Sequence, residues 1–313
     1  MSGSSKKAIY AALVGNSLIA VTKFGAAAYT GSSAMLSEGI HSLVDTGNQV
    51  LLLFGIKQSI KPPSPEFPFG HGKEIYFWCF IVAMLIFALG GTASIYQGVQ
   101  HLDSDTPVTN ILINYVVLGF ALVFEMGALY VAGKEFNKSR GKQGFLQAVR
   151  DGKDPTLFVV VFEDTAATLG LLIALLGLVA YQITGNSIFD ALASIAIGVV
   201  LILTAFWLAI ESKNLLIGES ASLSVRNDIE ALLEQDGRID VTNEVATLHM
   251  GPDFIVVTIS ADFGSILSSD QVEDAVSELN AAIRQQDPRI KRVYIEAEKY
   301  DRHALERNEP VDG

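Results

Sequence analysis

The sequence predicts a membrane domain of six transmembrane helices followed by a cytoplasmic α+β domain. Three observations predict it. Of 313 residues, 50% are hydrophobic and only 18% are charged, with a mean hydropathy of +0.37, whereas roughly a quarter of a soluble domain is charged. Six apolar runs, each close to the ~20 residues a helix needs to cross ~30 Å of hydrocarbon, fill the first two thirds of the chain. The charge then changes abruptly: Met1–Gly218 holds 13 Lys+Arg and 14 Asp+Glu, while Glu219–Gly313 holds 9 and 20. Such a shift marks a domain boundary. The expected division is a membrane domain over 1–217, a cytoplasmic αββαβ domain over 218–300 and a disordered tail over 301–313.

Taken in order, the runs are Ala8–Tyr29, Ser33–Lys57, Glu74–His101, Thr109–Gly133, Pro155–Gln182 and Ser187–Ser212. Tyr29-Thr30-Gly31-Ser32 and Thr184-Gly185-Asn186 predict tight turns, and Lys61-Pro62-Pro63-Ser64-Pro65 a stiff linker. Asp154-Pro155 reads as an N-cap followed by proline at the first helical position. Frequent Gly and Ala inside the runs suit close helix packing in lipid. Met1–Lys7 is polar and weakly basic with no clean cleavage site after it, so the first run is expected to stay in the mature chain.

Lys6 and Lys7, then Lys57, Lys61 and Lys73, then Lys134, Lys138, Arg140, Lys142, Arg150 and Lys153 fall in loops on one side. The intervening loops contain no Lys or Arg. The positive-inside rule therefore puts both termini in the cytoplasm. In the acidic block the pattern reads helix Leu223–Gln235, strand Val245–Met250, strand Phe254–Phe263, helix Ser268–Gln286 and strand Ile290–Glu296. Gly251-Pro252-Asp253 supplies the hairpin turn, and Val272, Ala275, Val276, Leu279 and Ile283 keep helical spacing. Two helices on one face of a three-stranded sheet is the packing this predicts.

Composition also excludes classes. A net charge of −12 argues against nucleic-acid binding. The single cysteine, Cys79, excludes an intrachain disulfide framework and any multi-thiolate metal site.

Ionisable side chains within membrane helices are costly unless paired or solvated, so each is a functional candidate. Here they are Lys23, Glu38, His41, Asp45, Glu125, Glu163, Asp164 and Asp190. At ~1.5 Å per residue, His41 lies ~12 Å and Asp45 ~18 Å into the second helix, and Asp164 lies ~13 Å into the fifth from the opposite side. All three converge near the midplane, with His41 and Asp45 (i, i+4) on one helix face. An imidazole and two carboxylates there suit a divalent metal, zinc foremost; the alternative is a hydrogen-bonded cluster that fixes helix register. Lys23 and Glu38 flank the outer turn at similar depth and read as a structural ion pair. Asp190, one turn into the sixth helix, reads as stabilising the N-terminus of that helix.

Gly31-Ser32-Ser33-Ala34, Glu38-Gly39-Ile40-His41-Ser42-Leu43-Val44-Asp45 and Phe69-Gly70-His71-Gly72-Lys73 together resemble the cation diffusion facilitator family of divalent-metal exporters. Gln100-His101-Leu102 and Asp190-Ala191-Leu192-Ala193 are further matches. The resemblance covers nearly the whole chain. It implies a ferredoxin-like, metallochaperone-like cytoplasmic domain and a homodimer in a lipid bilayer, each protomer exchanging a metal ion for protons. The expected location is a bacterial inner membrane.

Most members repeat His-x-x-x-Asp or Asp-x-x-x-Asp on the fifth helix. Here Val160 holds the first position of that motif, and the Glu163-Asp164 pair looks like a branch with Glu-Asp on that helix. Asp164 is expected to be the metal ligand, because it shares a face with Val160 and Thr168. Glu163 shares its face with Ala166, Ala167 and Gly170, which suit helix packing. Glu163, Asn48 or a water is left to complete the shell. The family's loop site leaves His71 with Glu66 as weaker candidates. The last strand bears Glu296 and Glu298 where zinc-binding relatives carry histidines, so weak or no metal binding is expected in the C-terminal domain.

The expected function is export of a divalent ion, Zn2+ first, in exchange for protons, with no resident cofactor and no catalysis. The rivals are Mn2+, Fe2+ or Co2+ export, a transport-dead sensor or partner subunit, and a membrane metalloenzyme, the last disfavoured for want of a general base beyond the ligands.

Overall fold

A computed structural model describes residues 3–102, 108–140, 144 and 155–307. Six long helices come first: α1 (Gly3–Thr30), α2 (Ser33–Ser59), α3 (Glu74–Leu102), α4 (Ile111–Arg140), α5 (Pro155–Thr184) and α6 (Ile188–Ile217). Among the described residues, four of them, α3 to α6, contain stretches long and apolar enough to cross a membrane. Helix α2 spends much of its length on Ser, Glu, His, Asp and Asn, which lowers its hydropathy. Gly31 makes the α1–α2 turn with φ at 74°, a backbone angle that other residues adopt at a cost. Lys134, Lys138 and Arg140, expected in a loop, lie on α4, whose helix runs seven residues past Gly133. Lys142, Arg150, Lys153 and the capping residue Asp154 lie outside the described residues.

The chain divides into two compact bodies, Met1–Gln58 with Glu74–Lys213, and Ser59–Lys73 with Asn214–Gly313. In the first, α3 is interrupted by a π-turn over Ile86–Gly91, where Thr92 donates both its N–H and its hydroxyl to the Phe87 carbonyl. Nothing in the apolar pattern signals this turn. It sits where α3 meets α6 at backbone distance: a Cβ at Gly91 would lie 3.2 Å from the Gly198 carbonyl oxygen, and one at Gly98 2.7 Å from that of Ala191. Small residues permit this approach in lipid.

The second body holds α7 (Leu223–Glu234), β1 (Ile239–Gly251), β2 (Phe254–Phe263), α8 (Ser269–Gln286), β3 (Ile290–Ala297) and α9 (Tyr300–Arg307). The sheet order is β1-β2-β3, with β1 antiparallel and β3 parallel to the central strand. Alternate β2 residues Ile255, Val257, Ile259 and Ala261 face Val225, Ile229 and Leu233 of α7 and Ala275, Leu279 and Ile283 of α8 in one apolar cluster. Both helices thus cover one face of the sheet. Ser268 caps α8 in a reciprocal capping box with Gln271.

Each of these two helices passes into its following strand through the same device, Asp236-Gly237-Arg238-Ile239 and Asp287-Pro288-Arg289-Ile290. In both, the Asp carboxylate accepts from the Arg backbone N–H two residues on and from the guanidinium, with shortest contacts of 2.7 Å and 2.6 Å.

Two expectations need correction here. Strand β1 begins at Ile239, six residues before Val245, and register shifts between Ile239/Val241 and Thr242/Glu244 carry it through a polar stretch without alternation. The tail is not disordered from Asp301, because Tyr300–Arg307 is helical. Tyr300 N donates to Asp262 Oδ2 at 3.1 Å, and His303 Nδ1 lies 2.9 Å from Glu298 Oε2, which also accepts the Ser260 hydroxyl. The Ser260 hydroxyl, then His303, holds Glu298 below the usual carboxylate range. Residues 308–313 lie outside the described set.

The α2–α3 connector belongs to the second body. Phe69 meets Phe254 edge to face with centroids 6.4 Å apart, and Lys73 Nζ donates to the Leu216 carbonyl at 3.4 Å. A Cβ at Gly72 would collide with the Met250 carbonyl oxygen.

Candidate metal centre between the second and fifth helices

One buried stripe of α2 carries Glu38, His41, Asp45 and Asn48, at spacings of three, four and three that keep them on a single face. All are at most 6% exposed. His41 Nδ1 lies 3.3 Å from Asp45 Oδ1. From α5, Glu163 (5% exposed) reaches this stripe: Asn48 Nδ2 donates to Glu163 Oε1 at 2.6 Å.

On α5 it is Glu163 whose side chain reaches the α2 stripe, where Asp164 was the expected ligand. Glu163, not Asp164, meets α2; Asp164 is only partly buried and its side chain makes no hydrogen bond among the described residues. The physical reason lies on the same helix. The small-residue face is the one packed on α2, because Gly170, seven residues beyond Glu163, leaves room where a Cβ would collide with Glu38 Oε1. The packing stripe and the site stripe coincide, and Asp164, ~100° around the helix, leaves both.

Lys23 and Glu38 form the expected pair. Both are fully buried, Nζ to Oε2 is 2.9 Å, and Lys23 also donates to Ser42 Oγ at 2.8 Å. Glu125 of α4 is buried as well. Asp190 lies in the first turn of α6 as expected, and its carboxylate also accepts from Ser32, Ser33 and Ala34 at the start of α2. On the connector, His71 packs against the Phe67 ring at 4.5 Å, and no hydrogen bond or ion pair joins it to Glu66 among the described residues.

Several buried polar atoms at the α2–α5 contact make no hydrogen bond: both His41 ring nitrogens, Asp45 Oδ1 and Asn48 Oδ1. Orphaned donors and acceptors in an interior are costly, and these belong to side chains of metal-ligating types. Among the described residues no three His, Cys, Asp or Glu groups already surround an ion-sized space. One hydrogen bond, from Asn48 Nδ2 to Glu163 Oε1, joins the two helices here.

A family model for the cation efflux transmembrane domain matches residues 9–217. The chain belongs to the cation efflux family. Members of this family, the cation diffusion facilitators, are membrane transporters. The human mitochondrial proton-coupled zinc antiporter SLC30A9 is 33% identical over 270 residues, covering 85% of this chain and 48% of its own length. Metal tolerance protein C4 of Arabidopsis thaliana is 34% identical over 263 residues, 83% of this chain and 57% of its own. The cation-efflux pump FieF of Escherichia coli is 26% identical over 277 residues, 86% and 87% respectively. The chain thus spans about half the length of the first two relatives and most of the third.

Proposed function

We propose that this cation efflux protein exports a divalent transition metal, zinc first, from the cytoplasm in exchange for protons. The supporting observation is the stripe His41, Asp45 and Asn48 on α2, with unsatisfied buried polar atoms, beside Glu163 of α5. In this reading the cargo takes His41, Asp45 and Glu163, with Asn48 Oδ1 completing the shell. Ligands bind metal in their deprotonated forms, so loading releases protons. The carboxyls of Asp45 and Glu163 and the imidazole of His41 are the groups this reading would have exchange protons for the ion.

The same reading has α1 to α6 crossing the membrane with both termini cytoplasmic, and the αββαβ body adopting a ferredoxin-like fold in a homodimer. It assigns the chain to the Glu-Asp branch of the family and to a bacterial inner membrane. Lys23–Glu38 acts as a structural pair. The names of SLC30A9, a zinc antiporter coupled to protons, and of FieF, an efflux pump, support the direction and the cargo.

Three oxygen donors and one nitrogen also suit harder ions, so Mn2+, Fe2+ and Co2+ are the ions to compare. The test uses purified full-length protein. Calorimetry with each ion should give binding that Asp45→Ala abolishes, and proteoliposomes with a pH gradient should accumulate zinc. Tight binding without flux would replace transport by a sensor role; no binding of any divalent ion would remove the metal reading.

A further inference from the structure

Asp190 begins α6 in sequence but completes α2 in space. It is 2% exposed. Oδ1 accepts from Ser32 Oγ at 2.5 Å; Oδ2 accepts from Ser33 N at 2.6 Å, Ser33 Oγ at 2.7 Å and Ala34 N at 3.4 Å. These amides are among the donors that the first turn of any helix leaves without an internal partner, and the helix dipole favours a carboxylate there. One turn deeper, the Ser37 and Ser194 hydroxyls meet at 2.5 Å, and Ser194 donates to the Ser94 carbonyl at 2.8 Å.

The two sides of this contact are built differently. Helices α3 and α6 are joined backbone to backbone at Gly91, Gly98 and Gly198, where no side chain fits. Helix α2 is fastened to that pair through hydroxyls, amides and one carboxylate. Beside the fastening lies an open groove of about 810 Å³, lined by Phe24, Gly31, Ser32, Leu36, Gln97 and Gln100 among others. The first turn of α2 therefore has space next to it, and water entering there could solvate the groups that a separation would expose.

We propose that Asp190 is a releasable latch. It holds the helix that carries His41 and Asp45 against the α3–α6 pair, and the metal centre opens toward the α1–α2 turn only when the Ser32–Ser33–Asp190 contact separates. Asp190 is a positioning residue and touches no cargo. Closed, four donors and the carboxylate satisfy one another while buried; open, water must take their place. Intermediate separations leave buried groups unsatisfied, so the contact has two states. The role assigned to the latch rests on the transport reading, but its existence is tested without flux.

The experiment uses full-length protein with Cys79→Ala and Ala34→Cys, placing the only thiol at a buried position (2% exposed) under the latch. Asp190→Asn, which exchanges one acceptor for a donor facing other donors, should raise the rate of maleimide modification at position 34 by about tenfold through a shift toward the open state. Ser33→Ala should raise it by less. Zinc affinity measured by calorimetry should change by no more than about threefold, since the metal-facing side chains are intact. Unchanged labelling in the folded Ser33→Ala and Asp190→Asn proteins overturns the latch. So does a loss of zinc affinity and thermal stability together without faster labelling, which is the behaviour of a plain structural staple. If Asp190→Asn fails to fold, Ser33→Ala alone decides. A wild type that binds zinc but moves none would overturn transport while leaving the labelling result to stand for itself.

Discussion

Glu163 and Asp164 are neighbours in sequence with opposite surroundings, and substitution separates them. Glu163→Gln should lower zinc affinity by at least tenfold, because it removes a charge facing Asp45 and Asn48; Asp164→Asn should change it by less than about threefold. Calorimetry on the two proteins checks the order, and the reverse order would return the ligand role to Asp164. The buried pair Lys23–Glu38 predicts a different result. Lys23→Met with Glu38→Gln should leave zinc affinity largely intact, while Lys23→Met alone, which strands a buried carboxylate, should destabilise the fold by about 3–5 kcal/mol. A thermal unfolding series on the three proteins tests this. His41, Asp45 and the Lys23–Glu38 pair were legible from spacing and depth alone. Glu163 was legible only as a candidate to complete the shell, because its small-residue neighbours signal packing, and sequence does not say which partner helix that packing faces.

Among the elements, the paired Asp-X-Arg-Ile turns carry a pH dependence whose sign follows from their contacts. The Arg289 guanidinium holds Asp287 below the usual carboxylate range, and Arg238 does the same for Asp236. A lowered native value means that the stabilisation is present above the unfolded value, ~3.9, and fades as pH falls through the native one. Asp287→Asn should therefore speed amide hydrogen exchange in β3 at neutral pH by a few-fold, matching ~0.5–1 kcal/mol for a surface pair, with the difference shrinking as pH falls below ~3.9. At the α2–α5 contact, Gly170→Ala should force Glu38 from its place and lower thermal stability, with zinc flux reduced in proportion. The strand and helix positions in the acidic block were readable because apolar spacing there is regular. The π-turn of α3 and the early start of β1 were not, since each is set by a neighbouring element and leaves no period in its own sequence.

For the whole molecule, the charge step at Gly218 locates the change from apolar to acidic chain, but compactness assigns residues 59–73 to the acidic side as well. Composition cannot reveal this, because Pro and Lys in a connector look the same whether it stands free or lies on a sheet. Zinc binding offers a test at the same scale. With no described cluster of three ligating groups in the second body, His41→Ala with Asp45→Ala should reduce binding by the full-length protein to baseline; residual stoichiometric binding would locate a second site, with His71 the first residue to substitute.

The seat of the connector on the β1–β2 hairpin has a practical consequence for solubility. A fragment begun at the composition boundary lacks Phe69 and Gly72, so the Phe254 ring loses its cover and the Met250 carbonyl its neighbour. Uncovered apolar surface beside a sheet edge invites self-association. Such a fragment should aggregate more readily than one supplied with residues 59–73 as a separate peptide, and light scattering with and without that peptide would measure how far the acidic body depends on a piece of chain lying more than 140 residues earlier.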